Sequence, residues 1–335
     1  MKKFIYKSFL FFAIPMLLGF ILDTLISEKL KNSKEFPCEN EVWNDIYNSS
    51  INSETAIIGS SRAWVHFNPK IINEILNTQS YNFGEDGSNF ILQYIRFKEY
   101  TSFNPTPKFV VLSLDMWTLK NSDNSYPTYR FYPYMLWNYR VYNILEEFNK
   151  LGYKKNLFNF PLIRYISFKT FDLLLNNNEK PFFKLFNKYL ELNSSGNLRN
   201  YGFRAMNLEW KKNDIKTLSD KNYSVNIDYS IKLILENFIE ELIDNNIEII
   251  MVYPPEFIEG QGVIANRNEI LSIYKNISIK FDIPFFDYSN DTISMKKDLF
   301  YNVQHLNKTG ANLFSRDISF KINEYKSNII KINSE

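Results

Sequence analysis

The chain has 335 residues, of which 45% are hydrophobic and 17% aromatic, enough to bury a substantial core in one large domain that carries an insertion. Lys and Arg number 39 against 37 Asp and Glu, so nothing in the balance calls for nucleic acid or another polyanion as partner. The single cysteine, Cys38, excludes an intramolecular disulfide and any cysteine-rich metal site, and it lacks the small residues that precede a lipoprotein acylation site.

Residues 1–30 carry the clearest topological signal. Lys2, Lys3 and Lys7 precede an apolar run from Phe9 to Leu22 that continues loosely through Leu25 and Ile26. As a helix, residues 4–26 span roughly 30 Å of hydrocarbon, with Lys7 snorkelling at one end and Asp23 near the other. Pro15 and Gly19 are tolerated in such a helix. The lysines predict an inside N-terminus, with the remaining chain outside the cytoplasm. No small-x-small site follows the run, which favours an uncleaved anchor over a cleaved signal peptide. Residues 31–54 read as a stalk followed by a short lead-in helix over 41–47.

Ala56-Ile57-Ile58-Gly59-Ser60-Ser61-Arg62 reads as a short buried strand ending in small residues, the way a parallel strand delivers a side chain to the carboxyl edge of an open α/β sheet. An ordinary strand-to-helix turn with a capping serine would look the same. Helix over 69–76, strand over 80–83, helix over 90–100 and strand over 108–114 follow. Strand, helix, strand, helix and strand within about sixty residues imply a parallel sheet.

The pattern breaks from residue 118 to about 225, a stretch rich in aromatics, Asn and Lys, with helical segments over 142–150 and 180–192. It reads as an insertion over the carboxyl edge of the sheet. Its aromatics, such as Phe131, Tyr132, Tyr134 and Trp137, can stack on sugar rings, form a small core of their own, or face a membrane. The α/β pattern, occupying 55–117, resumes over 226–325. A helix over 231–244, a strand over 247–253 stopping at Pro254-Pro255-Glu256, a helix over 266–281, a last strand over 283–287 and a closing helix over 310–325 lead to a polar tail, 326–335.

A serine nucleophile needs a base, and histidine is the usual one near neutral pH. The chain has two histidines. His66 lies five residues after Ser61 among aromatics, where a packed, satisfied histidine is the commoner outcome. His305 sits in the polar loop of Asn302-Val303-Gln304-His305-Leu306-Asn307, before the closing helix, better placed to reach across a sheet edge.

Together these stretches resemble the SGNH (GDSL-like) hydrolase family, in particular its membrane-anchored bacterial branch that modifies cell-surface polysaccharides. Gly59-Ser60-Ser61 corresponds to the family's Gly-Asp-Ser block, with Ser61 as nucleophile and Ser60 where the family has Asp. Tyr81-Asn82-Phe83-Gly84-Glu85-Asp86-Gly87-Ser88 looks like the block whose glycine N–H helps form the oxyanion hole; Gly87 matches better than Gly84. Asn302-Val303-Gln304-His305-Leu306-Asn307 looks like the Asp-x-x-His-Leu-Asn block, with Asn302 in place of Asp. Asp115, after the strand over 108–114, stands near the family's oxyanion Asn, where a carboxylate would repel an oxyanion.

The resemblance implies a three-layer α/β/α fold with a flavodoxin-like parallel sheet, and acyl transfer by Ser61 and His305 with no cofactor and no metal. Asn302 would orient the imidazole, and the N–H groups of Ser61 and Gly87 would receive the oxyanion. Asn82 and Arg62 are secondary candidates; a structural hydrogen bond from Arg62 to the glycine loop is an equal reading. The implied substrate is a glycan or an acylated small molecule. Water as acceptor makes an esterase, and a sugar hydroxyl makes an O-acyltransferase, for which a membrane acyl-donor partner is compatible. Localisation would be the bacterial cytoplasmic membrane, single-pass, with the main domain outside. A different class also fits the Asn302 replacement: a catalytically impaired scaffold that binds glycan or serves in envelope polysaccharide assembly.

Overall fold

The computed structural model describes residues 1–32, 39–121, 131–140, 160–165, 199–210 and 223–334. Cys38, residues 126–130 of the aromatic stretch and the helices expected over 142–150 and 180–192 lie outside them. Packing divides the chain into two compact units, one of Met1–Asn44 with Pro127–Leu198, the other of Asp45–Tyr126 with Arg199–Glu335.

The larger unit is built on a five-stranded parallel sheet. Its strands are β1 (Thr55–Gly59), β2 (Ser80–Asn82), β3 (Phe109–Ser113), β4 (Glu248–Tyr253) and β5 (Phe285–Asp287), in the order β2-β1-β3-β4-β5. This is the flavodoxin-like order, which reverses direction between β1 and β3. All five residues of β1 and of β3 are buried, as expected for central strands covered on both faces by helices. One face of the sheet, with Ile57, Val111, Ile250 and Val252, joins a core with Phe67 and Ile72 and with Phe314, Ile318 and Ile322. Those residues come from or adjoin α3 (Ser61–His66), α4 (Pro69–Leu76) and α9 (Lys308–Ser334). The side-chain alternation of strands sends Ile58, Leu112 and Met251 to the opposite face. The helices α5 (Phe90–Phe103), α7 (Tyr229–Asp244) and α8 (Arg267–Phe281) complete that layer, with Phe238 meeting Phe90 and Phe97 at ring distances of 5.6 and 5.0 Å.

Local chemistry sets the helix starts. Asn68 caps α4 by accepting from the Lys70 N–H, ahead of Pro69 at the first turn. Asp228 caps α7 through the Ser230 N–H, and Asn307 accepts from the Gly310 N–H at the head of α9. Two expectations are corrected. The stretch read as a polar tail, 326–335, continues α9 to Ser334. The polar loop read around His305 is a small antiparallel hairpin of β6 (Phe300–Asn302) and β7 (His305–Leu306). Strands this short carry no hydrophobic period, so composition alone read them as loop.

The smaller unit contains α1 (Lys2–Lys31), most of α2 (Glu39–Tyr47) and α6 (Tyr132–Met135). Among the described residues, α1 is the one helix long and apolar enough to cross a membrane. Phe131, Tyr134 and Met135 are buried, and Trp43 packs on Phe131 and Tyr134 at 5.3 and 6.1 Å. The Tyr134 hydroxyl donates to Asn44 Oδ1 at 2.8 Å. This part of the aromatic insertion therefore packs into a small core shared with α2.

Candidate active site

The site lies at the carboxyl end of β1. There Ser60 leaves the strand in an extended conformation and caps α3, its Oγ accepting from the Arg62 N–H at 3.3 Å while donating to Asp115 Oδ2. Ser61 is then the first residue of α3, and the turn aims its side chain away from the core. Its Oγ lies 2.8 Å from His305 Nε2, across 244 residues of sequence.

His305 is oriented from the other side by Asn302. The Asn302 Oδ1 accepts the backbone N–H groups of Gln304 at 3.0 Å and His305 at 2.9 Å, and stands 3.0 Å from His305 Nδ1. Because two backbone donors face that atom, it must be the amide oxygen, and the third group facing it must also be a donor. The imidazole therefore carries its proton on Nδ1 and presents the Nε2 lone pair to the Ser61 hydroxyl. Burial and the nearby Arg62 guanidinium hold His305 down to about 3, so it is neutral at physiological pH. Tyr301 stacks on the ring at 5.5 Å and 11°.

The second histidine is structural. His66 is fully buried at the end of α3, and its Nε2 accepts the Leu306 N–H at 3.0 Å, fastening β7 one residue beyond His305. Burial, first, and then Arg62 and His305 push its pKa well below the usual value, which keeps the acceptor lone pair available. The rings of His66 and His305 meet edge to face at 6.1 Å.

The glycine loop is held against the end of β1 by the Glu85 N–H donating to Gly59 O at 3.0 Å. Asn82 is fully committed within it: its amide donates to Ala63 O and Phe67 O, both at 2.8 Å, and accepts from the Gly84 N–H at 2.9 Å. Gly84 thus has no N–H to offer an oxyanion. Its small size is required instead, since a Cβ there would lie 2.2 Å from the Trp64 backbone nitrogen. Gly87 has φ +69° and open space around its Cα, and no hydrogen bond to its N–H occurs among the described residues. Of the two glycines, Gly87 is the one whose N–H remains available.

Arg62 is 2% exposed and does not reach the glycine loop. It donates to Pro254 O, pairs with Glu256 at 3.4 Å, and lies over the Tyr253 ring at 4.4 Å. The expectation of a bond to the glycine loop is corrected accordingly. Asp115 accepts from Ser60 Oγ, the Trp117 N–H at 2.7 Å and the Thr118 hydroxyl at 3.3 Å. Ser60 and Asp115 are therefore bonded to each other, and Asp115 anchors the residue before Ser61.

Sequence reasoning missed the two arginines that hold the glycine loop. Arg96 is buried, pairs with Glu85 at 3.1 Å and donates to Phe83 O and Gly84 O; Arg199 donates to Gly84 O and Gly202 O and lies over Trp64 at 4.9 Å. Gln93 and Arg96, set among the apolar residues of the first two turns of α5, were the available signal, since a buried charge demands a partner. A cavity of about 240 Å³ lies at the opposite end of the sheet, lined by the first residues of β1, β3 and β4. Its charges are paired, Glu54 with Lys108 and Glu248 with Lys326, each at 2.7 Å, and its lining includes none of the residues singled out above.

No protein-family model matches the chain, and no curated protein matches it. Among solved structures it is similar to a Bacteroides fragilis protein provisionally described as an acylhydrolase, at 13% identity and a TM-score of 0.35, over 81% of this chain and 86% of that one. A likeness this loose carries no functional weight; the fold assignment rests on the strand order itself.

Proposed function

We propose that the chain is a membrane-anchored serine acyl esterase or O-acyltransferase, with acetyl as the group carried, acting on a glycan outside the cytoplasm. The observation that supports this reading best is the Ser61–His305–Asn302 relay, with a 2.8 Å contact between hydroxyl and base and a tautomer fixed by backbone donors. In the forward step Ser61 Oγ attacks the ester carbonyl as His305 Nε2 takes its proton. The N–H groups of Ser61 and Gly87 receive the developing oxyanion. Collapse of the tetrahedral adduct expels the alcohol, which takes the proton from His305 and leaves acyl-Ser61. Water or a sugar hydroxyl, deprotonated by His305, then attacks the acyl-enzyme, releasing acid or new ester and restoring the serine.

The anchor and the lysines before it support a cytoplasmic-membrane location with the N-terminus inside. A second reading is favoured by one observation, the neutral amide at Asn302, which cannot balance an imidazolium as a carboxylate does. On that reading the scaffold binds glycan without turnover.

The test is the intact mass of the full-length protein in detergent after exposure to a fluorophosphonate, with Ser61→Ala and His305→Ala alongside. A single adduct that both substitutions abolish supports the acyl-transfer reading. A folded protein that forms no adduct refutes it in favour of binding.

A further inference from the structure

At about 1.5 Å per residue, the 30 residues of α1 reach roughly 45 Å, well beyond the roughly 30 Å of bilayer hydrocarbon. The two halves of the helix differ. Residues 4–18 are largely bare, with Phe4, Phe12 and Leu17 exposed by 74, 72 and 60%. From Gly19 onward the insertion covers one side. Pro161 lies 3.6 Å from where a Gly19 Cβ would stand, Trp137 stacks on Phe20 at 5.3 Å and 18°, and Ser27 Oγ meets the Tyr165 hydroxyl at 2.7 Å. Asp23, the one carboxylate among the apolar residues of α1, is 1% exposed and accepts the Leu162 N–H at 2.7 Å. Its charge is thereby solvated by protein rather than water, which suits a position at the edge of hydrocarbon.

Where this cover begins, Trp137 and Tyr139 and, from the second segment, Phe160 are turned outward, with 51, 48 and 51% of their surface bare. Trp137 holds a backbone φ of +58°, a left-handed conformation that costs a bulky residue about 1–2 kcal/mol. In water, the half of the indole that is not stacked on Phe20 gains nothing from its exposure. At a membrane–water boundary it does, because Trp and Tyr place an apolar ring and a polar edge in their preferred media. The level also matches the helix: Lys3 to Asp23 spans twenty residues, about 30 Å of rise.

We propose that residues 137–139 and 160–162 form a collar around α1 that seats in the lipid headgroup region, so that the insertion fixes how far the anchor sinks into the bilayer. The inference rests on α1 spanning the membrane and is independent of the chemistry at Ser61.

The test uses the full-length protein with Cys38→Ser, spin-labelled one site at a time at Leu17→Cys, Tyr139→Cys, Phe160→Cys and Leu313→Cys, in phosphatidylcholine–phosphatidylglycerol vesicles. Relaxation by oxygen and by a water-soluble nickel chelate reports depth. The expected order is Leu17 deep, positions 139 and 160 at headgroup depth with an oxygen-to-nickel ratio several-fold above that of Leu313, and Leu313 aqueous. Positions 139 and 160 matching Leu313, or shielded from both reagents as beneath a second copy, would overturn the collar while a deep Leu17 preserves the anchor. An aqueous Leu17 would overturn both. In unlabelled protein, brominated lipid should quench a tryptophan emission component that Trp137→Phe removes; an unchanged quenched fraction counts against the collar.

Discussion

On the acyl-transfer reading proposed above, replacing Asn302 by Asp should strengthen the base and speed turnover. In serine proteases the opposite change costs about 10⁴ in rate because the imidazole is left in the wrong tautomer. Here the tautomer is already correct, since Asn302 Oδ1 is held toward His305 Nδ1 by the Gln304 and His305 N–H groups. Only the charge is missing. A carboxylate about 4 Å from an imidazolium contributes about 4 kcal/mol at an effective dielectric of about 20, equivalent to roughly three pKa units. Desolvating the new carboxylate offsets part of this, although the two backbone donors remain to satisfy it. His305, now held to about 3, should rise by one to two units on this scale, and kcat should increase about ten- to a hundredfold. The measurement is kcat and KM for p-nitrophenyl acetate across pH 4–9 with the full-length protein in detergent, alongside an NMR titration of the His305 ring. The sign is definite: a raised pKa moves the acidic limb of the profile to higher pH. An unmoved limb, or a variant that keeps its fluorophosphonate adduct but turns over no faster, would refute the electrostatic account.

Two further outcomes follow from the same geometry. Gly84→Ala should cost roughly 3 kcal/mol or more, or abolish folding, because the new Cβ meets the backbone of Trp64 at 2.2 Å, whereas Gly87→Ala, strained by φ +69° but in open space, should cost only about 1 kcal/mol. Equal thermal shifts for the two would contradict the packing described. His66 and His305 both have folded pKa values below 6.5, so their contribution to stability is full above the unfolded pKa and is lost as pH falls through that value toward the folded ones. Between pH 7.5 and 5.5 each should cost about 1.4 kcal/mol, and a thermal midpoint that stays level over that range would show that the rings are not held neutral.

The sheet was legible because its central strands are short, largely apolar runs closed by punctuation: Gly59 ends β1 and Ser60 follows it, and Pro254 and Pro255 follow β4. The pairing of Ser61 with His305 was legible because only two histidines compete, Ser61 follows a strand at the head of a helix, and His305 sits just before one. The partners of Arg62 were not, since an ion pair with Glu256, 194 residues away, leaves no local pattern. Nor was the role of His66, whose aromatic setting announces burial but not the Leu306 N–H it receives. Asn82 was a secondary site candidate; three backbone groups claim it, a saturation that appears only once the loop is folded over α3.

The strand order also constrains how the molecule can be made. β1, β2 and β3 lie within residues 55–113, but the neighbour that completes β3, β4, begins at Glu248. A chain that emerges N-terminus first must wait through residues 114–247 with one side of β3 unpaired, a buried-type edge open to other chains. Ser61 is made 244 residues before His305, so the half-built domain holds the hydroxyl without the imidazole it meets. Crowding of nascent chains would then be the hazard, and a holdase would be most valuable before residue 248 appears.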